Sequence, residues 1–205
     1  MNHQEFSRQL KELQRQIFYA ILSYEIYIVL WPTEEAIGIL NYHRGFFIPV
    51  RNALYQTMMM GFAKVFDKDT RTISLINLLR KAKNDTTNLV PHLSISDLQD
   101  MDDRLLQHET ILDKIKSLRD QQLAHQDANP KPSSPPQKGE IDSLINNLEE
   151  VFNKLSSGHN QSLYNWFFQK NRSATETSEI LRILQEAMEK RKAEADEILN
   201  DLGDN

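Results

Sequence analysis

Apolar positions recur at three- and four-residue steps through almost the whole chain. Phe6, Leu10, Leu13, Ile17, Ile21, Tyr24 and Ile28 form one such stripe, which predicts a long amphipathic first helix. Pro32 stops or bends the chain. Thr33 is placed to cap a short helix through Leu40, with Glu34 and Glu35 suited to its first turn. Gly45 marks a turn, and Pro49 fits only near the start of the following helix. That helix carries two stripes: Phe47, Val50, Leu54, Met58, Gly61 and Val65, then Tyr55, Met59, Phe62 and Phe66. A helix apolar over so wide an arc is central to a bundle or also faces a partner. The run Met58–Met60 reads as core filler.

FDKDTRT is polar turn chemistry, and ISLINLLRKAK after it is a short amphipathic helix. NDTTNLVPHLS reads as a loop. Ser96, followed by Asp97, is expected to cap a helix in which Leu98, Met101, Leu105, Leu112, Ile115 and Leu118 keep a seven-residue rhythm. His108 interrupts that rhythm, and the helix delivers Arg119. Four prolines within 126–139 mark a linker or exposed loop. Ile141, Leu144, Leu148, Val151, Phe152 and Leu155 then form another helical stripe. SLYNWFFQKN suggests a short aromatic-rich helix or turn. Ser173, Thr175 or Thr177 would open a last helix with Ile180, Leu184, Ala187, Arg191 and Ile198 on one face. No alternating strand pattern of any length occurs, so the fold class is all-α, a helical bundle.

Composition narrows the class. The 205 residues suit one substantial domain. The expected division is a bundle over 1–157 and a C-terminal helical extension over 158–205 packed on it. With no cysteine, disulfides and thiolate metal sites are excluded, and a reducing cytoplasm is the expected location. The opening MNHQEFSRQLKELQRQ has no signal-like apolar run. AILSYEIYIVLW is too short to span a bilayer and carries Glu25, so no membrane role is expected. The net charge of −5 is concentrated in residues 176–205, where nine acidic side chains meet four Lys or Arg. Within 64–83 the balance reverses, with Lys64, Lys68, Arg71, Arg80, Lys81 and Lys83 against Asp67 and Asp69. That excess suits either phosphates or a solvated surface.

The candidate chemistry is sparse. Asp67 and Asp69 read as solvated or capping groups, and no third ligand suggests a metal. Helical zinc spacing, a Gly-rich phosphate loop and a GxSxG elbow are all missing from the sequence. His108 shares a helical face with Arg104 and reads as a partly buried, hydrogen-bonded histidine. LRDQQLAHQD holds Arg119 and His125. With 11 Arg and 6 His in the chain, an Arg followed by a His after four to six residues is expected roughly once by chance. Context therefore decides, not spacing. Six residues along an α-helix turn through about 600°, leaving the two side chains roughly 120° apart around the axis. Convergence needs a change of course near Leu123–Ala124, or two chains.

Three features in fixed order carry a family resemblance: the long helix ending GFAKVFDKDTRTISLINLLRKA, the later helix running into LRDQQLAHQD, and its Arg–polar–(x)–His pattern. Together they resemble the HEPN superfamily, most closely its abortive-infection-type (AbiU2-like) bacterial branch, over about residues 1–155. The resemblance implies a HEPN-like bundle of long antiparallel helices that dimerises, with extra C-terminal helices here. In active members it implies metal-independent RNA cleavage with no cofactor. Arg119 and His125 would be the catalytic positions and Asp120 the supporting polar one. It also implies the effector role of a toxin–antitoxin or phage-defence system, with RNA as substrate and a possible antitoxin, often a nucleotidyltransferase in the family. Some relatives carry a Tyr two residues after the His, which such a partner modifies; this chain has Asp127. Two other readings stay open: a non-catalytic HEPN-like module that binds a protein partner or a nucleotide, and a structural helical adaptor.

Overall fold

A computed structural model describes residues 1–30, 34–120 and 134–203. Among them the structure is entirely helical: α1 (His3–Val29), α2 (Glu34–Tyr42), α3 (Arg44–Val65), α4 (Leu75–Asn84), α5 (Thr86–Leu89), α6 (Ile95–Leu106), α7 (Glu109–Leu118), α8 (Lys138–Asn160) and α9 (Trp166–Gly203). None of the described helices is long and apolar enough to cross a membrane.

The chain forms two compact units, Met1–Ile21 with Gln56–Trp166, and Leu22–Tyr55 with Phe167–Asn205. In the first unit the α1 stripe Phe6, Leu10, Leu13 and Ile17 is fully inside, as are Met58, Met59 and Phe62 of α3. The α8 stripe from Ile141 to Leu155 is buried throughout. α1 and α3 approach closely because Gly61 has no side chain: a Cβ there would stand 2.7 Å from the Cβ of Ala20. Gly158 of α8 does the same for the Leu93 side chain, which occupies the space a Cβ would need.

One buried polar tie crosses this core. The imidazole of His159, only 2% exposed, has Nδ1 2.5 Å from the Leu89 carbonyl and Nε2 2.6 Å from the Ser7 hydroxyl. A carbonyl only accepts, so Nδ1 carries the proton and the Ser7 hydroxyl donates to Nε2. Burial pushes the His159 pKa down, the Leu89 bond opposing and His3 adding to the shift.

The second unit has its own core, in which Leu30, Ala36, Ile39, Leu40, Phe47 and Leu181 meet, flanked by Ile26, Val50, Leu54 and Met188. Several boundaries differ from the sequence reading. Gly45 lies inside the first turn of α3, and Pro49 is within that helix. The cap of α6 is Ser94, not Ser96: its Oγ accepts from the Asp97 amide at 3.1 Å, and Asp97 Oδ2 accepts from the Ser94 amide at 2.9 Å. This reciprocal pair needs Ser and Asp three residues apart, which Ser94 and Asp97 satisfy. The expected single helix to Arg119 is two, because the chain breaks at Gln107 and His108, where His108 has φ −102 and ψ 10. α9 starts at Trp166 and runs through Ser173–Thr177 without a break. Its inner face is Leu181, with Leu184 and Met188 partly covered, whereas Ile180 is 56% exposed. Beyond Met188, α9 is solvent-exposed through Asn200. Along its length lie i,i+3 and i,i+4 pairs such as Arg172–Glu176 (2.7 Å) and Arg182–Glu179 (2.6 Å).

Candidate functional site

The FDKD turn follows directly from the end of α3 and is built from its own carboxylates. Asp67 Oδ1 accepts from the Asp69 amide at 3.0 Å, and Asp69 Oδ1 accepts from the Arg71 amide at 3.0 Å. The Arg71 guanidinium also grips Asp69, with Nη2 2.6 Å from Oδ2. That bond holds the Asp69 carboxyl down to about 2. Ser74 donates to the Asp67 carbonyl at 2.6 Å and, as N-cap of α4, accepts from the Asn77 amide at 3.2 Å. Buried Asn77 closes the turn by donating to the carbonyls of Asp69 (2.6 Å) and Thr72 (3.0 Å). Both aspartates therefore act as turn-forming groups. Among the described residues no group of three or more His, Asp or Glu is gathered to hold a metal ion.

α7 brings Arg119 to the same place. Its cap amide donates to the carbonyls of Ile115 and Lys116, and at Arg119 and Asp120 the winding changes to the π type. Such local expansions recur at functional sites. The Arg119 side chain is one-quarter exposed, with Nε 2.6 Å from Asp120 Oδ1. Its pKa is raised chiefly by that bond, with the charges of Asp120 and Asp67 adding to it against burial. Arg119 and the turn residues Asp67, Lys68 and Asp69 line one cavity of about 440 Å³, whose apolar part includes Phe62, Phe66 and Ile115. The acidic side chains Asp102, Glu109 and Asp113 and the cation Lys116 complete its polar lining.

Of the expected site, Arg119 and Asp120 are thus in contact. His125 and the proposed change of course at Leu123–Ala124 lie outside the described residues, as does Asp127. His108 is away from this cavity, half-buried beside Arg104 at a second recess. Burial lowers its pKa, and its ring makes no hydrogen bond to any described residue, contrary to the sequence reading. The basic excess over 64–83 is largely engaged locally. Arg71 holds Asp69, Lys83 pairs with Asp102, Lys81 donates to Gln9 at 2.8 Å and Arg80 to Asn77 at 3.1 Å. Local carboxylates and amides absorb these donors, so a solvated surface fits them better than a phosphate track.

Sequence reading missed the rest of the α7 face. Glu109, Leu112, Asp113, Lys116 and Arg119 all line the cavity, and their three- and four-residue spacing is the signal that identifies them.

Neither a curated protein nor a solved structure matches the chain. The family model for AbiU2 (HEPN_AbiU2) matches residues 3–180, which takes in both α3 with its FDKD turn and the Arg119 helix. The chain therefore belongs to the AbiU2 family of HEPN proteins.

Proposed function

We propose that the protein is a metal-independent endoribonuclease, the effector of a toxin–antitoxin or abortive-infection phage-defence system, acting as a homodimer. Membership of an abortive-infection HEPN family supports an RNase or abortive-infection role. The observation that carries the reading is Arg119, a partly buried cation lining a cavity beside the FDKD turn.

In this reaction the ribose 2′-oxygen attacks the adjacent phosphorus, loses its proton to a base, and the 5′-oxygen leaves with a proton from an acid. Arg119 offers a permanent forked cation for the phosphorane oxygens. His125 is the side chain able to exchange protons near neutral pH. One chain supplies one such His, whereas the reaction uses two proton carriers. A two-fold homodimer would bring two Arg119 and two His125 to one phosphate. Asp120 orients the Arg119 guanidinium through the 2.6 Å bond.

The test is RNA cleavage in EDTA by wild type and His125→Ala at equal folded concentration. Cleavage lost in the variant is expected, with growth arrest on overexpression of wild type alone. Equal activity of the two proteins removes His125 from catalysis.

A second reading, a non-catalytic module for a protein partner, draws on a different observation. The second unit leaves Tyr42, Phe46, Ile48 and Ile183 more than half exposed, the kind of apolar surface that partners cover. Harmless overexpression with a stable complex and no cleavage would favour it.

A further inference from the structure

The FDKD turn uses only part of Asp67. Its amide donates to the Lys64 carbonyl at 3.2 Å, its carbonyl accepts from the Ser74 hydroxyl at 2.6 Å, and Oδ1 accepts from the Asp69 amide at 3.0 Å. The backbone is thus pinned on both sides and the carboxylate fixed in direction, while Oδ2 bonds to no described residue. A turn of this kind needs an acceptor oxygen at Asp67, not a charge.

The charge acts elsewhere. Two guanidinium groups feel it, those of Arg71 and Arg119. Arg71 is already committed to Asp69, through Nε at 3.0 Å and Nη2 at 2.6 Å. Arg119 lines the same cavity as Asp67, and the carboxylate favours its cation across that cavity. Asp120 takes only Nε of Arg119. Arg carries a planar fork on a long, rotamer-rich stem, so a single bond at Nε leaves the Nη pair free to pivot about it. A fixed carboxylate on the cavity wall narrows that pivot.

We propose that Asp67 is a positioning residue for Arg119: with Asp120 on Nε and the Asp67 charge on the cavity wall, the Nη pair is held toward the cavity, where it meets a phosphate. The identification of that phosphate as the scissile one rests on the RNase reading; the alignment of the guanidinium does not.

Asp67→Asn separates charge from turn formation, because an amide oxygen still accepts from the Asp69 amide. In RNA cleavage in EDTA at equal folded concentration, kcat should fall by on the order of tenfold, the scale of a misplaced reacting group. KM should stay or fall, because an anion has left the surroundings of the phosphate. An unchanged kcat would leave Asp67 as a turn former, and a kcat that rises as KM falls would make it a repelling charge only; either overturns the proposal. Nitrogen-15 relaxation of the arginine side chains gives a readout that needs no catalysis. The Arg119 Nε–H signal, assigned by its loss in Arg119→Lys, should show a lower order parameter in Asp67→Asn than in wild type; equal values overturn the proposal. Cleavage with kcat and order unchanged in Asp67→Asn sinks the positioning role and leaves the RNase. Loss of order in a protein that cuts no RNA does the reverse.

Discussion

Gly61 offers the sharpest test of the packing that delivers the FDKD turn. A Cβ added there would meet Ala20 Cβ at 2.7 Å and Ala20 Cα at 3.3 Å. Carbon atoms pack best at about 3.5–4.0 Å, so the methyl overlaps both a side-chain and a backbone atom by several tenths of an ångström or more. Two helices must separate to relieve it. Overpacking of this kind costs about 1–3 kcal/mol, against a gain of roughly 0.8–1 kcal/mol from replacing Gly by Ala in a helix. Gly61→Ala should therefore be neutral to about 2 kcal/mol destabilising. Ala20→Gly alone should lose about 1 kcal/mol in propensity, plus the packing of its methyl group. In the double variant the propensities cancel and the methyl merely changes helix. Its stability should return to within about 0.5 kcal/mol of wild type, giving a favourable coupling of about 1–3 kcal/mol. Urea unfolding of the four proteins measures this directly. A coupling below about 0.5 kcal/mol would mean that α1 and α3 are not in contact at these residues.

Other outcomes follow from the caps and from the buried histidine. Ser94→Ala should cost about 1 kcal/mol by urea unfolding, whereas Ser96→Ala should change almost nothing; the reverse ranking would return the α6 cap to Ser96. His159 and His108 both have pKa values lowered by burial. Neutral imidazoles therefore stabilise the fold above the unfolded value of about 6.5, and that stabilisation drains away as pH falls through this region. Unfolding midpoints should drop from pH 7.5 to 5.5, and His159→Gln should flatten the drop, leaving the part due to His108. An unchanged slope in His159→Gln would show that its ring is not held neutral against Leu89 and Ser7.

How much of this was legible beforehand depends on the kind of information a helix period carries. Periodicity places residues on a common face, and where a helix is covered on one wide side that is enough. The α1 stripe from Phe6 to Tyr24, Met58 and Met59, and every apolar position named in α8 are buried as read, while Ile28 at the end of the α1 stripe is only partly covered. The family was equally legible, because the resemblance was read from local strings, and the family model matches residues 3–180.

Where two apolar columns lie next to each other, period alone cannot choose between them. In α9 both Ile180 and Leu181 satisfy a helical stripe, and the core of Leu30, Ile39 and Phe47 selects Leu181. Helix ends behaved similarly. Ser94 and Ser96 both precede apolar residues, and reciprocal bonding with Asp97 picks the first. The break at His108 likewise leaves the heptad rhythm intact on both sides, so the pattern reads as one helix.

The amino-acid sequence by itself thus determined the helical class, most of the buried stripes and membership of the AbiU2 family. Only the tertiary structure decided that Asp67 and Arg119, 52 positions apart in the chain, line one cavity, and that Asp113 belongs with them. The reason is physical. Helix formation is governed by contacts a few residues apart, whereas a cavity is made by side chains of different helices whose packing fixes them together.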